Sequence, residues 1–317
     1  MKILDLKNGR ILKKTNEPLC LFLGNFDGVH AGHAKLVDVA LEEGKKLGIK
    51  VGAWTFADHP LNAVSGGKGI LTLVDNEEKN RIFSEKNVDY VIYEDFLKVK
   101  DYSPEAFISE ILIEKFDCRC AVCGFNFKFG KNGEGTPEML KKTMEDFGRY
   151  AVIVSPVSRM NKTVSSTEIR SYIENGQLEE AAVMLGRPYS INFPVVHGNQ
   201  IGRTIGIPTI NQCFPENHIR LKNGIYASKC YVGGKEYLGV SNIGSRPTVN
   251  SDECDINCET HIIGYDGWLY GKNVKVCFYK RLRDEVCFED ISELKEAVEN
   301  DIRNVIAFFS REKNNDE

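Results

Sequence analysis

The chain has 317 residues, of which 42% are hydrophobic and 27% charged, with a formal net charge of −4. That length suits two compact units, each large enough to bury its own core, and the composition excludes a disordered chain. The slight acidity excludes a surface built as a whole for nucleic acid or anionic membrane; small molecules are the expected partners, and no obligate protein partner is evident.

The opening "MKILDLKNGRILKK" lacks an apolar signal-peptide core, and no stretch reaches the roughly 18 apolar residues of a membrane span, so a cytoplasmic protein is expected. Residues 1–186 then alternate short apolar runs with longer amphipathic stretches, the pattern of a parallel sheet covered by helices. "LCLFLG", "KVGAWTF", "DYVIYE", "CAVCGFNF" and "YAVIVSPV" read as strands. Between them, Asp75 and Glu78 stand at capping-box spacing, while Ser103-Pro104 and Thr136-Pro137 each put a capping hydroxyl before a proline at the first helical position. "SGGKG", residues 65–69, lacks the spacing of a P-loop and reads as a flexible loop. Ten cysteines are scattered along the chain and are expected to stay reduced thiols. Cys118, Cys120 and Cys123 cluster, but zinc needs four ligands; the alternative is a buried strand in which cysteine acts as a small hydrophobe.

Straight after the first strand stands "LGNFDGVHAGH", residues 23–33. A strand that ends in a glycine turn and feeds a helix gathers backbone N–H groups and the positive end of the helix dipole at one spot, a ready site for phosphate. His30 and His33, flanked by Gly28 and Gly32, are placed to donate hydrogen bonds to phosphate oxygens as a phosphoanhydride breaks. The alternative is a solvent-facing turn with two incidental histidines. Further on, "TVSSTEIRSYIENG" combines a capping box, Ser165 and Glu168, with a helix stop at Gly176; a plain helix start explains it as it stands.

After Gly186-Arg187-Pro188 the pattern changes to short strands and glycine turns, an all-β barrel over residues 187–317. "CYVGGKEYLGV" is a hairpin, since Gly233-Gly234 supplies the positive φ angles of a two-residue primed turn. Leu294, Val298, Ile302, Val305 and Phe309 line one face of a closing helix capped by Asp290 and Glu293. Within the barrel, "HGNQIGRTIGIPTIN" offers Gly198, Gly202, Arg203 and Gly206 to wrap phosphate, and Thr209 and Asn211 as neutral oxygen ligands for Mg2+. A glycine-rich barrel loop is the alternative. "SNIGSRPTVN" follows, then Glu259 in "CETHIIGYDGWLYGK", either a surface-facing strand residue or a carboxylate placed to accept a hydroxyl proton, with Asp266 as the next candidate base.

Taken together these strings resemble the bifunctional bacterial riboflavin kinase/FAD synthetase family along nearly the entire chain. The resemblance implies α/β plus β architecture: a Rossmann-like nucleotidyltransferase domain with a parallel sheet at residues 1–186, and a six-stranded antiparallel riboflavin kinase barrel with a terminal helix at residues 187–317. It implies that riboflavin and ATP give FMN, and that FMN and ATP give FAD and pyrophosphate, with Mg2+ required. On this resemblance G-x-F-D-G-x-H-x-G-H places Gly24, Phe26, Asp27, Gly28 and Gly32 at the nucleotide beside catalytic His30 and His33, and S-S-T-x-I-R brings Ser166, Thr167 and Arg170 to the ATP phosphates. Asn126 in "GFNFKFG" and Arg283 in "RLRDEVCF" would contact flavin, and Glu259 would be the base of the kinase. An enzyme with one working half and a non-catalytic flavin-binding or sensing protein are the competing readings; retention of His30, His33, Thr209, Asn211 and Glu259 weighs against the latter.

Overall fold

The computed structural model describes residues 1–7, 17–66, 69–198, 200–245, 256–288 and 290–315. Gly67 and Lys68 of the "SGGKG" loop, Asn199, and residues 246–250 of "SNIGSRPTVN" lie outside them. The chain divides into two compact units, Met1–Ser166 and Thr167–Glu317.

The first unit is built on a six-stranded parallel sheet. Its strands are β1 (Lys2–Asp5), β2 (Leu19–Leu23), β3 (Lys50–Phe56), β4 (Tyr90–Glu94), β5 (Cys118–Gly124) and β6 (Tyr150–Val154). Their spatial order is β1-β4-β3-β2-β5-β6, which buries β2 between β3 and β5. Side chains alternate along β2: Leu19, Leu21 and Leu23 enter one core with Trp54, Phe107, Leu112 and Leu140, while Cys20 and Phe22 enter another with Val37, Ala40 and Phe83. Both faces of the sheet are therefore covered by helices, as near-continuous apolar strands require. The caps form as expected: the N–H groups of Glu78, Ala106 and Met139 donate to the side chains of Asp75, Ser103 and Thr136.

Cys118, Cys120 and Cys123 are fully buried on β5. Cys118 and Cys123 face one core and Cys120 the other, so the three thiols do not converge. Burial also pushes the Cys118 and Cys123 thiols up to about 12. The buried-strand reading fits them, whereas Cys213 departs from the expected reduced thiols and is disulfide-bonded.

A two-stranded ribbon, β7 (Ser158–Arg159) with β8 (Lys162–Thr163), precedes the second unit. There β9 (Tyr189–Val196), β10 (Ile210–Cys213), β11 (Gly224–Val232), β12 (Lys235–Ser245), β13 (Ile256–Ile262) and β14 (Asn273–Arg283) close a barrel in the order β10-β13-β12-β11-β14-β9. Gly233 and Gly234 stand at φ 57° and 77° between the paired ends Val232 and Lys235, the expected primed turn. The strand pattern begins after residue 186, but the helix Leu178–Leu185 lays buried Leu178, Ala181, Met184 and Leu185 toward β9 and β14, which draws it into the barrel unit. The terminal helix Ile291–Asn315 docks Val305 and Phe309 on Ile225, Ala227 and Val240.

Candidate functional site

In the first unit, the carboxyl end of β2 runs directly into the turn that carries Phe26 to Val29. Phe26 and Val29 adopt φ 52° and 39°, left-handed values that cost a non-glycine residue about 1–3 kcal/mol each; Gly28, at 82°, adopts such a value without a Cβ clash. Neighbours hold this strained turn. The Val29 N–H donates to the Phe26 carbonyl at 3.2 Å, the Leu73 N–H donates to Asp27 Oδ1 at 2.8 Å, and the Ser166 hydroxyl donates to the Asp27 carbonyl at 2.9 Å. The last contact brings the start of the S-S-T-x-I-R string onto the histidine turn.

His30 caps the helix Ala31–Leu47, its Nδ1 accepting the His33 N–H at 3.3 Å. An Nδ1 that accepts leaves the proton on Nε2, so the ring presents a donor away from the cap. The His30 and His33 rings stack with centroids 3.6 Å apart and planes 14° from parallel, and Phe26 abuts His33 edge-on at 5.2 Å. A Cβ at Gly32 would lie 3.1 Å from His30 Cε1, and one at Gly24 would lie 3.0 Å from the Phe26 ring, so both glycines make room for the rings. Phe26 is fully buried; it shapes the site from beneath. Two imidazoles at the head of a helix, with backbone N–H groups beside them, gather hydrogen-bond donors at one spot, an arrangement chemically suited to an anion.

Leu23 pairs with both Trp54 and Cys123, so the segment after β5 emerges at the same edge of the sheet as the histidine turn. Asn126 lies in that segment, exposed, in a turn closed by the Phe127 N–H on the Gly124 carbonyl at 3.0 Å. Open α/β sheets place their ligands at this carboxyl edge. Thr167 and Arg170 lie on the helix Ser166–Glu174.

No sequence motif singles out Lys79. It is buried at 7% exposure, donates from Nζ to the Asn25 carbonyl at 3.4 Å, and lies 5.8 Å from the centre of the Tyr93 ring. Burial lowers its ammonium to about 8, against the pull of Asp27 and Asp75. Ile82 and Phe83, three and four residues on, are buried with it on the helix Asn76–Glu85, and that spacing was the available signal.

In the barrel, Asn211 on β10 stands in register with Glu259 on β13, and Glu259 in register with Asn242 on β12. Asn211 is 6% exposed and Glu259 half-buried, neither one a free surface side chain. Asn257, buried at 3% exposure, donates from Nδ2 to Asn211 Oδ1 at 2.8 Å and to Glu259 Oε1 at 3.0 Å. A Cβ at Gly198 would fall 2.5 Å from Asn211 Nδ2, so this glycine lets the backbone close on the amide. A Cβ at Gly202 would meet the Ile207 carbonyl at 2.3 Å, while Gly206 turns at φ 78°.

A cavity of about 320 Å3 opens beside Thr209, with Arg203, Pro208, Thr260, Asp266 and Tyr270 among its walls. Arg283 is held in place by an ion pair: its Nε and Nη2 donate to the buried Asp301 carboxylate at 3.0 and 2.6 Å, tying the terminal helix to the barrel.

Geometry of this kind defines an α/β unit with a stacked histidine pair at a helix head, followed by a barrel unit that sets a carboxylate beside side-chain amides. Residues 12–168 match the family described as FAD synthetase, and residues 185–309 the family described as riboflavin kinase. The bifunctional riboflavin kinase/FMN adenylyltransferase of Bacillus subtilis is 33% identical over 303 residues, 95% of each chain, and its Escherichia coli K12 counterpart 33% identical over 299 residues, 94% of this chain and 95% of that one. The chain belongs to the bifunctional riboflavin kinase/FMN adenylyltransferase family. A solved structure named as a macrolide-efflux protein from Streptococcus pneumoniae is 27% identical, covers 95% of this chain and 97% of its own, and superposes with a TM-score of 0.82. Among the described residues of this chain, no helix is long and apolar enough to cross a membrane.

Proposed function

We propose that the chain makes FMN from riboflavin and ATP in its barrel, and FAD from FMN and a second ATP at its parallel sheet, acting in the cytoplasm on small molecules. Functionally the division is proposed at residues 1–186 and 187–317. The observation that carries this reading is one chain holding both a capped, stacked His30–His33 pair at a helix head and Glu259 in register with Asn211 in a barrel.

In the adenylyl transfer, an ionised oxygen of the FMN phosphate attacks the α-phosphorus of ATP; the bond to the β-phosphate breaks and pyrophosphate leaves. His30 and His33 donate to the oxygens on which charge grows, Gly24, Asp27, Gly28 and Gly32 shape the turn beneath them, and Ser166, Thr167 and Arg170 are assigned to the phosphates. No covalent enzyme intermediate is needed. In the kinase reaction, Glu259 takes the proton of the ribityl 5′-hydroxyl as its oxygen attacks the γ-phosphorus, and ADP leaves. ATP is assigned to the cavity beside Thr209, with Gly198, Gly202, Arg203 and Gly206 around its phosphates, and Asn126 and Arg283 to flavin. Thr209 and Asn211 offer neutral oxygens, a donor set that suits Mg2+, and the Asn211 oxygen is already oriented by Asn257. When bound, the ion neutralises phosphate charge.

Incubating the protein with riboflavin, ATP and Mg2+ and separating the flavins by chromatography tests the proposal. FMN and FAD together are expected; FMN alone reduces the reading to a kinase, and bound but unchanged riboflavin to a flavin carrier.

A further inference from the structure

We propose that Asn257 is a positioning residue for riboflavin phosphorylation, whose single carboxamide nitrogen holds the candidate metal ligand Asn211 and the candidate base Glu259 in one geometry. The inference rests on the roles given to those two residues above. Asn257 precedes Glu259 by two positions on β13, which puts both side chains on the same side of the strand. Asn211, on β10, stands directly across from Glu259. The Asn257 amide thus sits at the corner of a triangle, and its nitrogen spans the other two corners at 2.8 and 3.0 Å.

Only one orientation of the amide works here. Its neighbours present oxygens, so an NH2 facing them donates one hydrogen to each, whereas a flipped amide would set oxygen against oxygen. With that nitrogen committed, Asn257 Oδ1 is left buried without a hydrogen-bond partner among the described residues. A buried acceptor with no partner destabilises the fold, and an apolar side chain of similar size would not carry that cost. That cost offsets part of what the two donated hydrogen bonds contribute to stability, so their chief consequence is the geometry they impose on Asn211 and Glu259. Asn211 Oδ1 accepts a hydrogen bond from Asn257, which fixes the direction in which this carbonyl oxygen is presented. Gly198 closes against the whole face of the same amide, where a Cβ would lie 2.5–2.6 Å from its nitrogen, carbon and oxygen, so the Asn211 side chain is confined there as well. Neither partner has to search for its place when substrate arrives, and groups set in place beforehand raise the rate of the step and not only substrate binding.

Asn257→Leu keeps the approximate volume, removes both donated hydrogen bonds and eliminates the orphaned acceptor. The melting temperature is expected to change by only a few degrees, because the donors lost to Asn211 and Glu259 and the orphaned acceptor removed act in opposite directions, while riboflavin phosphorylation falls in kcat by about 10–100-fold with KM for riboflavin little changed. Affinity for Mg2+·ADP, read by titration calorimetry without turnover, is expected to fall by about 10-fold, the low end of what loss of a ligand's supporting partner costs. FAD formation from supplied FMN should be unaffected. Should the leucine variant lose its barrel, Asn257→Ser, which can donate one hydrogen bond, carries the same test and is expected to lose less kcat than Asn257→Ala. Wild-type kcat and Mg2+·ADP affinity in a folded Asn257→Leu overturn the proposal, as does Asn257→Ser no better than Asn257→Ala. If Asn211→Ala and Glu259→Gln themselves leave phosphorylation intact, the assignment of ligand and base fails first, and the two failures are told apart.

Discussion

Lys79→Met separates stability from catalysis in the first unit. Lys79 is buried and its ammonium is lowered from 10.5 to about 8 by desolvation. Because the folded value lies below the unfolded one, the unfolded chain binds more protons between these limits, and stability rises with pH through the window from 8 to 10.5. Below pH 8 the full cost of burying the charge is present. The difference of 10.5 − 8, at 1.36 kcal/mol per unit, gives about 3 kcal/mol. Methionine fills the same buried space without a charge but loses the long hydrogen bond to Asn25, about 1 kcal/mol. The variant should therefore be about 2 kcal/mol more stable at pH 7, with the gain gone by pH 10.5. Trp54 lies buried in this unit, so its fluorescence in a Trp268→Phe background follows urea unfolding of the sheet. FAD formation should fall about 10-fold, because the Asn25 carbonyl next to the strained turn loses its donor. A variant less stable at pH 7, or a gain that is the same at pH 7 and pH 10.5, refutes the reasoning.

His30→Ala should depress FAD formation by about 10²–10³ while FMN formation survives, as separate flavin assays will show; equal loss of both products contradicts two sites. Asp301→Asn should cost about 1–3 kcal/mol by breaking the bidentate pair with Arg283, and hydrogen exchange should show the loss concentrated in the helix Ile291–Asn315; unchanged protection there refutes the tether. A fragment of residues 167–317 should phosphorylate riboflavin and melt well above one of residues 187–317, since the latter lacks the helix Leu178–Leu185 and its buried Leu178, Met184 and Leu185, worth on the order of 5 kcal/mol. Equal melting temperatures would mean that this helix contributes nothing to the barrel.

The alternation of apolar runs in the first half and the glycine turns of the second were enough to read the sheet, the barrel and the terminal helix, because burial imposes those periods directly. β1 and β10 carry no such signal: each is four residues long, and Ile210–Cys213 is hidden at the end of a glycine-rich string. "CAVCGFNF" also overran, since the strand stops at Gly124 where the chain turns. The histidine turn was legible from spacing, and the structure adds what spacing does not contain, namely the ring stack and the strain at Phe26 and Val29. Lys79 and Asn257 went unseen for a different reason. Each reaches its partners through packing or cross-strand register, and no local pattern announces which polar residue will be buried.

The central claim is that two chemistries reside on separate residues of one chain. Measuring FMN and FAD formation side by side in Glu259→Gln and in the His30→Ala, His33→Ala double variant tests it most directly. Glu259→Gln should lose phosphorylation of riboflavin by about 10²–10⁴ yet convert supplied FMN to FAD at the wild-type rate, and the histidine variant should accumulate FMN from riboflavin without passing it on. Folded variants that lose both activities together, or a Glu259→Gln that still phosphorylates riboflavin near normally, would contradict the account.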